Sequence, residues 1–214
     1  MGMAIYRTGF TIEHGFRFDN WFSFDVRLTP ALRLGRVEPG LCGGMAYAAL
    51  DYYHAGVPVP RMRQAPPSGS ALLRYLIERQ LASNRPAVLY RVLRWTLGGV
   101  ASLEQRMLAQ ELPALRRRLQ RNEPTVLVLV RAPDLWHVTA NHQVVAYGYR
   151  EDEAEGIMHI DVYDPNWPGE AVSLSLELAE PDWGLEAWHS REGTFKGLFV
   201  QPYEPRRRGL PIIL

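Results

Sequence analysis

The chain changes texture once, at Glu123-Pro124, and that break limits the folds open to it. Before it, apolar residues recur at helical spacing; after it, short β-rich runs alternate with turn residues. Cys42 to His54 carries Met45, Ala48, Ala49 and Tyr52 at helical spacing and meets Gly56 and Pro58, which predicts a helix with Cys42 in its first turn. Ser70 to Ala82 predicts a second, with Leu72, Leu73, Leu76, Ile77 and Leu81 opposite Arg74, Glu78 and Arg79. Ser102 followed by Gln105 reads as the capping box of a third helix, and Pro113 as the first residue of a fourth. The basic run Arg116 to Arg118 on that fourth helix reads as a solvated face.

Thr125 to Arg131, His142 to Arg150, Gly156 to Tyr163, Val172 to Leu178 and Thr194 to Tyr203 predict strands. Helices first and strands afterwards is the pattern of an α+β fold with an antiparallel sheet. The expected organisation is a single domain over 1–214, with a helical part over about 41–122 and a sheet part over about 124–204. The first 40 residues, rich in aromatics and broken by Gly and Pro, read as irregular or short extended segments.

Composition narrows the function classes. The 24 Lys plus Arg balance 23 Asp plus Glu, so a nucleic-acid partner is not expected. No apolar run approaches the roughly 18 to 20 residues of a membrane span, and Met1 to Phe10 lacks a signal-peptide pattern, so the expectation is a soluble, cytoplasmic protein. The single cysteine excludes an intrachain disulfide and a cysteine-based zinc site. His137 and His142, five residues apart, share a face of neither a helix nor a strand, and no metal or cofactor is expected.

A lone cysteine is commonly a small buried hydrophobe. At a helix N-terminus, however, the positive end of the helix dipole favours the thiolate. Gly43 and Gly44 beside Cys42 read as leaving room for a substrate. A cysteine nucleophile also needs an imidazole to take its proton and an acceptor to orient that imidazole. His142 opens one predicted strand and Asp164 follows the next. With the intervening turn, Glu151 to Glu155, centred on Glu153, an antiparallel hairpin sets His142 opposite Asp164.

These residues resemble the papain-like cysteine peptidases. Leu41-Cys42-Gly43-Gly44-Met45-Ala46 is similar to their cysteine-bearing helix start, and Asn141-His142-Gln143-Val144-Val145-Ala146-Tyr147-Gly148-Tyr149 to their histidine strand. Asp164-Pro165 resembles the variant in peptidases that remove bacteriocin leaders and in their stand-alone relatives. Gly40-Leu41-Cys42-Gly43-Gly44-Met45, Asn141-His142-Gln143-Val144 and Tyr163-Asp164-Pro165-Asn166 are also similar to segments of an uncharacterised bacterial family.

The resemblance implies a papain-like fold, with the cysteine helix packed on the C-terminal sheet. It also implies a Cys42-His142-Asp164 triad acting on a peptide or isopeptide amide. Acyl transfer to an amine would run on the same residues, and loss of catalysis would leave a binding protein. Asn141 and Trp167 become groove candidates, with Trp167 shielding the imidazole and carboxylate. One departure stands out: papain-like peptidases carry a Gln about six residues before the cysteine as an oxyanion donor, and here Arg36 occupies that place. Asn20 and Arg36 are the candidate replacements.

Overall fold

The computed structural model describes residues 3–22, 24–27, 33–37, 40–131, 134–178 and 185–212, with 24–27, 33–37, 135, 138 and 139 described by backbone alone. Strand β1 (Met3–Arg7) precedes a short hairpin, β2 (Phe24–Arg27) and β3 (Arg33–Val37). Helix α1 (Cys42–Ala55) begins at Cys42 and ends at Gly56, whose φ of 66° is the left-handed cap that lets its N–H reach back to the Tyr52 and Tyr53 carbonyls. Helix α2 (Ala71–Ser83) starts where Ser70 accepts the Leu73 N–H at 3.2 Å.

The next helical stretch departs from expectation. Helix α3 (Pro86–Leu97) is additional: Pro86 opens it, and Val88, Val92 and Trp95 line its buried side. In α4 (Val100–Arg106) Ser102 does not cap, because the Leu103 N–H already bonds the Gly99 carbonyl at 3.1 Å and Gly99 holds the cap position. A π turn at Met107–Glu111 leads directly into α5 (Leu112–Gln120), so Pro113 is the second residue of a continuing helix rather than the first of a new one.

Strands β4 (Thr125–Val130), β5 (His142–Asp152), β6 (Ile157–Tyr163), β7 (Val172–Glu177), β8 (Ala187–His189), β9 (Gly193–Phe195) and β10 (Gly197–Val200) follow. They pair in the order β10-β4-β5-β6-β7-β8-β9, antiparallel throughout, and β1 pairs with the outer half of β5. The molecule is α+β with an antiparallel sheet.

The single strand expected over Thr194 to Tyr203 is two strands broken at Lys196. There the Lys196 Nζ donates to the Thr96 carbonyl at 2.9 Å, and Gly197 lies so close to Trp95 and Met107 that a Cβ would approach them to 3.0 and 3.1 Å. Since β9 and β10 sit at opposite ends of the strand order with one residue between them, the sheet must curl back towards itself.

Two apolar clusters hold these layers. One packs Val88, Val92 and Trp95 of α3 and Leu112, Leu115 and Leu119 of α5 against Leu127 to Val130, Val144 and Ala146. The other packs Phe10, Phe16 and Phe18 with α1 and α2 against Val126, Val145 and Tyr163. Strand β5 is shared, with Val144 in the first cluster and Val145 in the second, as the alternation of side chains along a strand requires. Its first residues therefore sit where helices, sheet and N-terminal segment meet. No helix among the described residues is long and apolar enough to cross a membrane.

Candidate functional site

Cys42 is the first residue of α1 and is half-buried. The first N–H groups of a helix have no intrahelical acceptor. Here the Leu41 N–H is taken by Asn20 Oδ1 at 2.5 Å and the Gly44 N–H by Gln80 Oε1 at 2.7 Å. Among the described residues no acceptor takes those of Cys42 and Gly43.

His142 and Asp164 do meet, by a different register from the expected one. The hairpin centres between Ala154 and Glu155, pairing Asp152 with Ile157. A bulge at Tyr147 then shifts the pairing by one residue, so that Val145 faces Tyr163. Continued one step, this register sets Asp164 opposite Val144, with His142 its diagonal neighbour on the same face. Diagonal neighbours are within reach of long side chains. His142 Nε2 lies 2.7 Å from Asp164 Oδ1, with both side chains buried.

Asp164 is further held by the Asn166 N–H on Oδ1 at 2.7 Å and by His189 Nε2 on Oδ2 at 2.9 Å. His189, for which the sequence offers no partner pattern, thus joins the pair. Its only sequence signal is a place in a three-residue strand too short to show periodicity.

The electrostatics follow from these contacts. For His142 the largest influence is burial, which favours the neutral ring. The charge and hydrogen bond of Asp164, joined by the hydrogen bond and charge of Cys42, overcome it and hold the pKa well above 6.5. For Asp164 burial acts first, raising the pKa. The His142 charge and hydrogen bond, the His189 hydrogen bond and the Asn166 N–H reverse it and hold the carboxyl well below the usual carboxylate range. With Nε2 engaged by Asp164, Nδ1 is the ring nitrogen left for Cys42.

Cys42, His142, Asn141 and Asn20 line one cavity of about 1040 Å³. Asn20 is fixed from both ends: Oδ1 accepts the Leu41 N–H, and Nδ2 donates to Asn166 Oδ1 at 2.9 Å. Asn141 Oδ1 accepts the Arg131 N–H at 2.9 Å, which ties the start of β5 to the end of β4. Arg36 stands opposite Asp25 in the β2–β3 hairpin, and its side chain lies outside the described residues.

Three groove expectations need correction. The Cα of Gly43 packs under Gln143 and Ser83, where a Cβ would lie 1.7 and 2.2 Å from their oxygens. Gly44 abuts the Leu76 carbonyl, at 2.3 Å from such a Cβ. Both glycines therefore permit close helix and strand packing rather than substrate approach. Trp167 packs on the sheet cluster and donates its Nε1–H to Glu192 at 3.2 Å, outside the cavity lining. The sequence reading also missed Gln80 and Asn166; the latter was legible as the last residue of an Asp-Pro-Asn turn. His137 bonds Asp134, and no cluster of metal-ligating side chains occurs among the described residues.

Comparison with known proteins gives no match to a family model, to a curated protein or to a solved structure.

Proposed function

We propose that the protein is a papain-like thiol hydrolase acting on a peptide, isopeptide or other amide. The observation that carries this reading is the buried His142–Asp164 pair, 2.7 Å apart, beside a half-buried cysteine at a helix N-terminus in a cavity large enough for a peptide segment. In the first step the Cys42 thiol gives its proton to His142 Nδ1, and Sγ bonds to the substrate carbonyl carbon. Asp164 keeps the ring oriented and stabilises the imidazolium. His142 then returns the proton to the leaving amine as the C–N bond breaks. Water, activated by the same imidazole, resolves the acyl-cysteine to a carboxylic acid and free thiol.

The tetrahedral oxyanion needs donors on the far side of the sulfur. The Cys42 N–H and the amide of Asn20, whose Nδ2 has a second hydrogen beyond the one given to Asn166, are assigned that role in place of the absent Gln; both residues line the cavity. Removing one such donor costs about 10² to 10³ in rate.

An activated acyl ester, p-nitrophenyl acetate, tests the reading when nitrophenol release is followed together with the mass of the protein. The wild type is expected to acylate on Cys42 and turn over. Cys42→Ala should do neither, and His142→Ala should slow acylation by about 10²-fold or more. Acylation no faster than that of a free thiol, and indifferent to His142→Ala, would leave the alternative of a papain-fold binding protein that retains the groove without the chemistry.

A further inference from the structure

Asp164 lies between two histidines, and the triad uses only one of them. His189 is fully buried, at 0% exposure. Its Nδ1 accepts the N–H groups of both Arg191 and Glu192 at 3.1 Å, so the ring proton must sit on Nε2, where it is donated to Asp164 Oδ2 at 2.9 Å. A carboxylate held at Oδ1 by His142 and Asn166, and at Oδ2 by His189, cannot swing about its Cβ–Cγ bond. Without His189, Oδ2 would be a buried oxygen with no donor among the described residues.

The same turn reaches the other half of the site. Glu192 Oε1 accepts from Asn166 Nδ2 at 3.0 Å and from Trp167 Nε1 at 3.2 Å, and Asn166 Oδ1 in turn holds Asn20. Two polar arms therefore leave residues 189–192. One runs His189–Asp164–His142 towards Cys42, and the other runs Glu192–Asn166–Asn20 to the start of α1.

We infer that the end of β8 and the turn after it, residues 189–192, form the positioning element of the site, with His189 aiming Asp164 at the base and Glu192, through Asn166, aiming the oxyanion donor Asn20. The inference rests on the thiol-hydrolase reading and assigns roles to residues outside the triad. His189 lies outside the cavity lining and acts through Asp164; Glu192 stands on the cavity wall and acts on the oxyanion side through Asn166, which it holds.

The two arms can be separated because two reactions of Cys42 make different demands. Alkylation by iodoacetamide forms an Sγ–C bond, releases iodide and passes the thiol proton to His142; no oxyanion develops. Acylation by p-nitrophenyl acetate needs both arms.

His189→Leu is therefore expected to slow both reactions by about tenfold or more, the scale of a lost hydrogen bond to a charged group. It should also shift the pH profile of alkylation. His189→Gln, which keeps a donor for Asp164 and an acceptor for the turn, should restore the wild-type profile. Glu192→Ala should slow acylation while leaving alkylation within about twofold. In the intact wild-type chain, ¹⁵N spectroscopy of the imidazole should show His189 protonated at Nε2 and bare at Nδ1, a readout that needs no variant to fold.

The inference is overturned if His189 carries its proton on Nδ1, or if His189→Leu leaves both rates and the pH profile unchanged while His142→Ala abolishes them. Equal slowing of both reactions by Glu192→Ala overturns the division into arms. If His142→Ala itself changes neither rate, the hydrolase reading fails first, and the two failures are told apart.

Discussion

Asp164 shows how much of this site depends on single atoms. Three donors converge on its two oxygens in a pocket closed to solvent, and each neighbour is explained by another contact. The shifts carry a stability signature. Asp164 is depressed, so its contribution to folding is complete above its unfolded value near 4 and is lost as pH falls through the lower folded value. His142 is raised, so its contribution is complete below about 6.5 and is lost as pH rises through the higher folded value. The pair therefore stabilises most between about pH 4 and 6.5. Urea midpoints measured across pH should fall on both sides of that window, and Asp164→Asn should flatten both limbs. At this scale Cys42, His142 and Asp164 were legible because their residue types and order carry chemistry. His189 was not, because its significance lies only in what faces it.

At the scale of elements, α1 can reach the start of β5 only because Gly43 has no side chain. A Cβ there would fall 1.7 Å from Gln143 Oε1 and 2.2 Å from Ser83 Oγ, so strand or helix would have to move. Gly43→Ala is expected to cost at least about 1 to 3 kcal/mol, read as a lower denaturant midpoint at unchanged slope, and to slow Cys42 alkylation as the sulfur withdraws from His142. An unchanged midpoint would contradict the packing described for α1.

The sequence pattern located α1, α2 and the strands β4 to β7 because each has a full run of periodic residues or a clear cap. It missed α3, and it misplaced the start of the next helix, which is capped at Gly99 and already runs through Ser102, as the Leu103 N–H to Gly99 carbonyl bond shows. The hairpin register was wrong because the turn is centred beyond Glu153 and β5 bulges at Tyr147. Asp164 still arrives beside His142 because a diagonal pair tolerates that error.

For the whole molecule, the site joins parts of the chain far apart in sequence. Cys42 comes from the helical part, His142 and Asp164 from one hairpin, Asn20 from the N-terminal segment and His189 from a strand beyond. What keeps them together is the curled sheet and the clamping of its last segment over the helices. Asp51, buried on α1, accepts from the Tyr75 and Tyr203 hydroxyls and the Arg206 N–H, while Arg79 Nη2 donates to it at 3.1 Å. The break of texture at Glu123-Pro124 foretold the α+β class, but not the curl, which depends on one residue, Lys196, dividing β9 from β10. The proposed function requires this architecture to deliver His142, supported by Asp164, to the Cys42 sulfur. The rate of Cys42 alkylation by iodoacetamide, measured against pH in the wild type and in His142→Ala, tests it most directly. The expected result is a wild-type rate near neutral pH well above that of a free thiol, and its loss in His142→Ala. Identical profiles for the two proteins, both following an ordinary thiol, would contradict it.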